Sequence, residues 1–379
     1  VMMEESPFHY RITGKQSVER LDPLLRSLVP NSHFCNALDL KSISERSLSF
    51  VWETTCEKDV RAIHQNAIVL NKLHNSQIIE SKASFASLQL LISYPMLETK
   101  VASNAGIVEH WATQRWGIDT VIDTTDRDWW VVKASQGNGG RDVWVFNSQN
   151  YRQVIQELPY QQEYVIQRYV NDPMLFRGKK FHFRCYSTMS ATGMAMVYQK
   201  AFILSAGLDF DYNDDDVRKH VTNLSVNKRF VGHPGQVPCH LPEEYPEIYN
   251  NIQIMWSAVV EAALPYMAHQ ISPLHFEFFG IDVIADASGG CWLIEANRLP
   301  GLESSKNNKQ EEDTMYDEMM KSLLCIVLNP VICVKEQLGS FRGLWDVVKT
   351  RENSESTYQG ESCWTNLLKW RAFTKASRE

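Results

Sequence analysis

The residues best suited to chemistry lie in a segment with the pattern of a β-hairpin. If residues 287–290 form its turn, Asp282 lies directly opposite Glu295, and Gly280 lies opposite Asn297. Side chains alternate along a strand, so Asp282, Glu295 and Asn297 are expected on one face. Facing carboxylates repel each other unless a cation lies between them. Two carboxylates and an amide oxygen are hard ligands, which favours a Mg²⁺ ion that also holds nucleotide phosphates.

The other face of this hairpin is expected to be apolar, with Ile281, Val283 and Ile294. An alternative interpretation is a solvated hairpin with incidental charges. Both faces are rich in aromatic and aliphatic residues, which favours burial and therefore the metal site. His275, which precedes the hairpin in an apolar stretch, is interpreted as a core histidine.

A second segment combines a lysine with a loop of small residues. Lys133 ends a predicted strand, and Ser135 and the glycine-rich residues 136–140 follow it. A lysine on a strand can neutralise phosphate charge, and such a loop lets backbone N–H groups approach an anion closely. Alone this is weak evidence, because glycine-rich hairpin loops are common. The loop is not a Walker A motif, since it lacks Gly-Lys-Ser/Thr and no helix follows directly.

Three basic side chains alternate with aromatic ones in a third segment. Lys180, His182 and Arg184 are separated by Phe181 and Phe183, so a strand would present the basic groups on one face. A ladder of cations suits a triphosphate or a carboxylate. A half-exposed edge strand explains this segment equally well when it is judged alone.

The elements that must position these residues are helices and short strands. Helices are predicted over residues 15–30, 57–75, 84–97 and 247–268, and again after residue 311. Strands are predicted over residues 129–133, 142–146, 164–167, 181–189, 194–204, 275–286 and 291–296. This order predicts an α+β fold in which antiparallel sheets with flanking helices carry the polar motifs.

The 379 residues exceed a usual single core, so two to three subdomains are expected. The predicted division is an N-terminal subdomain at 1–80, a central one at 81–170, a C-terminal one with the metal hairpin at 171–330, and a helical or mobile tail at 331–379.

Composition excludes several classes of function. The formal charge of −7 argues against a nucleic-acid binder, and no apolar run approaches the ~18 residues of a membrane span. Eight cysteines without a CxxC pair are expected to be reduced and mostly buried. With no basic and apolar leader visible, the expected location is cytoplasmic. Residues 211–216 resemble the start of an EF-hand loop but lack its glycine and final glutamate, so calcium is rejected.

Six segments in order resemble the tubulin–tyrosine ligase-like family of ATP-grasp ligases. They are 69–72 with 80–85 ("VN…RKASL"), 130–135 (the strand and loop that cover ATP), 165–170 ("VIQKYL"), 180–184 ("KFDIR"), 220–223 ("HLTN"), and 278–282 with 292–297 ("LFGFD…WLIEVN"). The resemblance runs from about residue 69 to about residue 303. It implies an ATP-grasp fold with ATP and Mg²⁺ as cofactors.

The resemblance also implies roles for single residues. Phosphate-binding roles fall to Lys82, Lys133, Lys180 and Arg184, with Thr222 and Asn223 beside the γ-phosphate. Ser135 is a further cofactor-binding residue. Of these, Arg184, Lys180 and Asn223 are the catalytic candidates. The adenine would be framed by Gln167, Arg168 and Tyr169, and Mg²⁺ would be held by Asp282, Glu295 and Asn297.

The implied reaction activates a carboxylate as an acyl phosphate and joins it to an amine. The expected partners are an amino acid and a carboxylate on a protein tail, a peptide or a small molecule. One alternative is a nucleotide-binding pseudo-enzyme that acts as a tubulin-associated scaffold, against which the intact Asp282, Glu295 and Asn297 argue. A kinase-like phosphotransferase is disfavoured because no His-Arg-Asp loop is present.

The chain departs from the family pattern where the acceptor is expected to bind. Leu204 stands where the family segment "YREGVLRTA" has an Arg implied to grip the acceptor carboxylate, and His182 replaces an Asp. Leucine cannot replace the planar fork of Arg, although Lys200 or Arg218 could supply another cation. We therefore expect an acceptor other than the usual tubulin tail.

Overall fold

The computed structural model arranges the chain in three sheets with helices around them. It describes residues 8–35, 48–54, 67–117, 128–136, 142–227, 230, 233–267, 272–305, 308–332 and 344–349. Among the helices in these ranges, none has the length and apolar character needed to cross a membrane.

The first sheet is parallel and comes from the N-terminal part of the chain. Its strands are β1 (His9–Ile12), β2 (His33–Phe34), β3 (Leu48–Trp52) and β4 (Ala67–Leu70), in the order β2-β1-β3-β4. Helix α1 (Lys15–Leu28) shares a core with this sheet through Leu21, Leu25 and Leu28, which recur at helical spacing.

The helix predicted over residues 57–75 is wrong for Ala67–Leu70, which forms β4. Residues 57–66 lie outside the described residues. Val69 and Leu70 are both buried, as expected for a parallel strand covered on both faces. Such a run lacks the alternation of a half-exposed strand, so periodicity alone does not distinguish it from a helix.

Two short helices, α2 (Gln77–Glu80) and α3 (Lys82–Leu88), lead to the second sheet. Ser81 separates them and caps α3, because its side chain accepts a hydrogen bond from Ser84 N at 3.4 Å. A 3₁₀ turn at Gln89–Leu91 ends the helix that the sequence predicts over residues 84–97. The cap places Lys82 at the first position of α3.

The second sheet is antiparallel and small. Its strands are β5 (Thr99–Ala102), β6 (Trp130–Ala134), β7 (Val143–Phe146) and β8 (Tyr164–Arg168), in the order β5-β8-β6-β7. Helices α4 (Ala105–Trp116) and α5 (Tyr151–Glu157) share its core. Trp116 and Phe146 meet there edge to face, 5.6 Å between ring centroids.

The third sheet has eight strands and carries most of the predicted motifs. They are β9 (Leu175–Phe176), β10 (Lys179–Ser190), β11 (Ala195–Tyr198), β12 (Lys200–Ser205), β13 (Gln236–His240), β14 (Phe276–Ala285), β15 (Cys291–Asn297) and β16 (Trp345–Lys349). β10 is central: β14 runs along one side of it, and β12 and β11 share the other side.

Helices cover both faces of this sheet. The remaining described helices are α6 (Val217–His220), α7 (Leu224–Asn227), α8 (Leu241–Glu244), α9 (Pro246–Ala263) and α10 (Lys309–Ile332). α9 packs on one face, and α10 packs with α1 and the first sheet on the other. The predicted α+β class with antiparallel sheets and flanking helices is confirmed. Of the five described cysteines, all free, only Cys35 is not buried.

Two details of the third sheet differ from the sequence prediction. The strand predicted over residues 194–204 is split at Gln199, whose N–H donates to Leu344 O at 2.9 Å. Residues 331–379, predicted as a helical or mobile tail, contain β16, which pairs with β11 and extends the sheet.

Candidate active site

The hairpin of β14 and β15 has the predicted register at its functional end. Asp282 pairs with Glu295, and Gly280 pairs with Asn297. Toward the turn a bulge shifts the register by one residue, so Ala285 rather than Asp286 faces Cys291.

The bulge corrects two predictions about this hairpin. Ile294 does not join the apolar face but lines a small cavity beside Glu295. Leu293 is buried in the core in its place. Asp286, predicted as the last paired residue, instead shapes the turn: its Oδ1 accepts hydrogen bonds from Ser288 N at 2.9 Å and Gly290 N at 2.8 Å.

Arg184 and Asp282 form a buried ion pair across β10 and β14. They are opposite each other in the register, and Arg184 donates from Nε to Oδ1 and from Nη2 to Oδ2, the latter at 2.9 Å. Burial alone would raise the pKa of the Asp282 carboxyl, but the charges of Arg184 and His182 outweigh it and hold that pKa well below its usual range. Asp282 is therefore ionised.

The basic ladder on β10 faces the site as predicted. Phe181 and Phe183 point into the core, and Lys180, His182 and Arg184 occupy the other face. His182 Nδ1 hydrogen-bonds with Thr222 Oγ1 at 2.6 Å, and its Nε2 lies 3.5 Å from Asp282 Oδ2. Thr222, His182 and Asp282 therefore form a chain of contacts.

Asn223 lies beside this chain at the start of α7. Its carbonyl oxygen accepts a hydrogen bond from Val226 N at 3.1 Å, which closes the first turn. Its side chain is half-buried. The structure thus brings Asn223 next to Thr222, although it records no contact of the side chain with Arg184 or Asp282.

A small cavity between the second and third sheets gathers four more predicted residues. Lys82, Lys133, Gln167 and Glu295 line this space of about 20 Å³, together with Glu80. That volume holds about one water molecule. A nucleotide needs more room than this volume.

Lys133 is the buried cation of this cavity. Its Nζ donates to Gln167 Oε1 at 2.8 Å, and Gln167 Nε2 donates to Thr99 Oγ1 at 3.2 Å. Burial lowers the pKa of Lys133 to about 8, with the Glu295 charge opposing the change and the Lys82 charge adding to it. The fraction of Lys133 that carries a charge therefore depends on its burial and on the charges of Glu295 and Lys82.

Lys180 lies against an aromatic cluster at the end of β8. Its Nζ is 3.7 Å from the Tyr169 ring centroid. The Tyr169 hydroxyl hydrogen-bonds to His220 Nδ1 at 2.8 Å, and His220 stacks on Trp129. Burial, with the nearby charge of Lys133, lowers the pKa of Lys180 well below its usual value.

Two predicted residues do not join the others. The side chain of Arg168 lies 3.5 Å from Asp128 and over the Trp130 ring, on the opposite face of β8 from Gln167. Alternation along the strand explains the separation, since Gln167 and Arg168 are consecutive. Ser135 is buried, and its hydroxyl meets no partner among the described residues. The glycine-rich residues 137–140 lie outside them.

Sequence reasoning missed several residues that the fold adds to the site. Glu80, Thr99, Trp129 and His220 all contact the predicted groups. The segment that resembles "HLTN" contains His220 and could have indicated it. His275 is a core histidine as predicted, with Nε2 donating to Ala67 O at 3.1 Å.

The donor set at the hairpin fits Mg²⁺. Asp282 is held ionised, and Glu295 and Asn297 are half-buried on the same face, 3.4 Å apart between Oε1 and Nδ2. No described group of three or more His, Cys, Asp or Glu side chains could hold a metal ion by itself. A site of two carboxylates and one amide oxygen would complete its coordination with phosphate oxygens, as Mg²⁺ sites commonly do.

A family model described as the tubulin-tyrosine ligase family matches residues 59–336, more than half of the chain. All the predicted site residues lie within this match.

Curated relatives match parts of the chain. Human (Homo sapiens) "Tubulin polyglutamylase TTLL5" is 25% identical over 217 residues, which cover 47% of this chain and 16% of that protein. Mouse (Mus musculus) "Probable tubulin polyglutamylase TTLL9" is 27% identical over 229 residues, 54% of this chain and 47% of that protein. The chain spans less than half the length of these relatives.

A solved structure with a similar fold is the C-terminal domain of Pby1 from K. lactis, described as an ATP-grasp enzyme interacting with the mRNA decapping enzyme Dcp2. Its TM-score is 0.58 at 19% identity, and the match covers 86% of this chain and 94% of that one. The predicted ATP-grasp fold is therefore confirmed.

Proposed function

Since the chain belongs to the tubulin-tyrosine ligase family, we propose that it is an ATP- and Mg²⁺-dependent ligase that joins a carboxylate to an amine. The observation that carries this proposal is the pairing of Asp282 with both Glu295 and Arg184 on neighbouring strands. It sets two carboxylates and a guanidinium on one face. Lys82 and Lys133 approach the same face across the small cavity.

The cations around the site would reduce the electrostatic repulsion that opposes the reaction. A carboxylate repels a triphosphate, so attack requires positive charge around the phosphates. Lys82, Lys133, Lys180 and Arg184 would supply it from three different elements. Held by Asp282, Glu295 and Asn297, Mg²⁺ would neutralise the β- and γ-phosphate oxygens.

In the proposed reaction, an oxygen of the acceptor carboxylate bonds to the γ-phosphorus as the bond to the bridging oxygen of ADP breaks. The amine nitrogen then bonds to the acyl carbon, the carbon–oxygen bond to phosphate breaks, and the amine releases a proton. Thr222 and His182 would keep the Asp282 carboxylate in place. Asn223 would lie beside the transferred group, and Gln167 and Tyr169 beside the adenine.

We propose that an amino acid is added to a protein or peptide carboxylate, or to a small amino acid. The names of the relatives make an acidic tubulin tail the first acceptor to test. Leu204, however, is 4% exposed and packs in the core at the position where the family pattern has Arg.

The two cations that could replace that Arg are already paired. Lys200 forms an ion pair with Glu318, and Arg218 forms one with Asp216. This supports an acceptor that does not depend on a cation at Leu204, and so one that differs from the usual tubulin tail.

The test is ADP release with a panel of acceptors and amino acids. Purified protein, ATP and Mg²⁺ are incubated with tubulin, tail peptides or small amino acids, together with labelled glutamate, glycine or tyrosine. ADP formed in step with a new amide supports the ligase. Nucleotide binding without ADP release would support the scaffold instead, and a phosphorylated acceptor would support a kinase-like transferase. Efficient labelling of the tubulin tail would overturn the proposed acceptor.

A further inference from the structure

A second, larger cavity adjoins the site. It measures about 300 Å³ and lies between the first turn of α1, the end of β3 and the segment that follows β15. Its walls include Ser17, Trp52, Thr54 and residues 299–302. A pocket of this size at the junction of two sheets suits one small molecule.

Pro300 connects this cavity with the reacting groups. The side chains of Pro300 and Arg184 both pack over Gly280 of β14. A Cβ added to Gly280 would lie 2.7 Å from Pro300 Cβ and 3.3 Å from Arg184 Cδ. Gly280 precedes Asp282 by two positions and so shares its face of the sheet. The cavity therefore begins one side chain away from the pair formed by Arg184 and Asp282.

The wall of α1 presents hydrogen-bond donors. This 14-residue helix begins after Gly14, and no side chain of the described residues caps it. The N–H groups of a first helical turn have no acceptor within the helix, and the helix dipole makes this end favourable for an anion.

Ser17 is the independent sign of a ligand. It is only 8% exposed, it lines the cavity, and its hydroxyl meets no partner within the part of the chain that the structure describes. The hydroxyl is therefore open to the cavity and available to a hydrogen-bonding ligand there.

The opposite wall is apolar and fixed. Trp52 is 3% exposed and packs on Phe278, 5.8 Å between ring centroids. Arg20 Nε donates to Leu302 O at 3.2 Å, which ties α1 to the segment after β15. The cavity thus combines a donor-rich end, which suits the α-carboxylate that all amino acids share, with an apolar wall.

We propose that this cavity binds the free α-amino acid that supplies the amine, with its carboxylate at Ser17 and the start of α1. This rests on the proposed ligase function. The amine then faces Pro300, which together with Arg184 covers Gly280. A cavity of about 300 Å³ has room for one amino acid.

The test replaces Ser17 with Asp. Aspartate in the first turn stabilises a helix, so Ser17→Asp should preserve or raise the melting temperature. Its charge repels a carboxylate, so the affinity for glutamate or glycine should fall about tenfold or more. Calorimetry with glycine and L-glutamate, on full-length protein holding Mg²⁺ and a non-hydrolysable ATP analogue, measures this directly. Ser17→Thr keeps the hydroxyl and should retain binding.

A second variant fills the cavity by another route. A Cβ at Gly301 would meet no atom within 4 Å, so Gly301→Leu adds bulk without a clash. It should raise the KM for the amino acid and leave nucleotide affinity unchanged.

Unchanged amino-acid affinity in both Ser17→Asp and Gly301→Leu would overturn the inference. So would a wild-type protein that releases ADP with an acceptor but binds neither glycine nor L-glutamate. No ADP release from wild type with any substrate pair would instead overturn the proposed function.

Discussion

At the scale of single residues, Arg184 and Asp282 form the central ion pair of the site. Each neutralises the other in the buried centre, and His182 lies 3.5 Å from the same carboxylate. A buried ion pair contributes little net stability, but it holds two charges in fixed positions. Nucleotide and Mg²⁺ would have to share these groups, so the pair is a preformed arrangement for binding.

Glu295→Gln tests the metal site. Glu295 is half-buried, and its Oε1 accepts a hydrogen bond from Asn297 Nδ2. Glutamine keeps an oxygen that can accept this bond, so the substitution should leave the fold intact. Loss of one carboxylate ligand should reduce ADP release by about a hundredfold or more. The matched control is Glu157→Gln, an exposed glutamate on α5. Full activity in Glu295→Gln would remove this hairpin from the mechanism.

Lys133 is expected to make nucleotide binding depend on pH. With a pKa of about 8, part of the population is neutral near that pH, and a neighbouring triphosphate favours the charged form. Nucleotide binding at that pH should therefore take up a proton, and affinity should fall as the pH rises further. Calorimetry in buffers of different ionisation enthalpy measures the uptake.

Lys133→Met should remove the part of the proton uptake that Lys133 contributes, and it should weaken nucleotide binding by about 1.5–3 kcal/mol. Lys179→Met is a suitable control, because Lys179 pairs with the exposed Asp209 outside the site. Equal affinity and equal proton uptake in Lys133→Met and wild type would contradict the assignment.

At the scale of elements, alternation allowed the sequence to predict which residues share a face. It placed Asp282, Glu295 and Asn297 together, and the register confirms this. The bulge at Ile294 was not predictable, because an inserted residue leaves no mark on the local pattern. The side chain of Arg168 lies apart from that of Gln167, because a resemblance covers consecutive residues whereas only alternate side chains share a face.

The last strand gives a prediction about stability. Trp345 in β16 is buried and donates from Nε1 to Ser322 Oγ at 2.9 Å. Its ring is tilted against that of Tyr198, with 5.1 Å between the centroids. Trp345→Ala should destabilise the protein by about 3–5 kcal/mol in denaturant unfolding. Trp345→Phe should cost less, since it keeps an aromatic ring. A loss below about 1 kcal/mol would show that β16 adds little to the sheet.

At the scale of the whole molecule, charged contacts join segments that are about 200 residues apart. Glu277 on β14 is buried and accepts hydrogen bonds from Leu73 N at 3.0 Å and Ser76 Oγ at 2.5 Å. Arg298, which follows Asn297, pairs with Glu80 at 2.7 Å. These contacts hold the segment that bears Lys82 against the metal hairpin.

The pair of Lys72 and Glu277 tests this connection. Their Nζ and Oε1 atoms are 3.5 Å apart, and both side chains are buried. Glu277→Leu should cost about 3–5 kcal/mol, because it leaves Lys72 charged and buried without its partner. Adding Lys72→Met should recover much of that loss in denaturant unfolding. Additive losses would show that the two residues are not coupled.

Such long-range contacts mark the limit of prediction from sequence. Arg184 and Asp282 are 98 residues apart, and only the pairing of β10 with β14 brings them together. Lys82 and Glu80, on two short helices, line the same cavity as Glu295, an arrangement that no local pattern encodes. The chemistry of each segment was predictable from its residues, whereas the cavities depend on the packing of the whole chain.

In the proposed reaction, phosphoryl transfer activates the acceptor carboxylate. The most direct measurement labels that carboxylate with heavy oxygen and follows the label by mass spectrometry during amide formation. We expect one labelled oxygen in inorganic phosphate for each amide formed, because the acyl phosphate breaks at its carbon–oxygen bond. Unlabelled phosphate, or label in AMP, would contradict it.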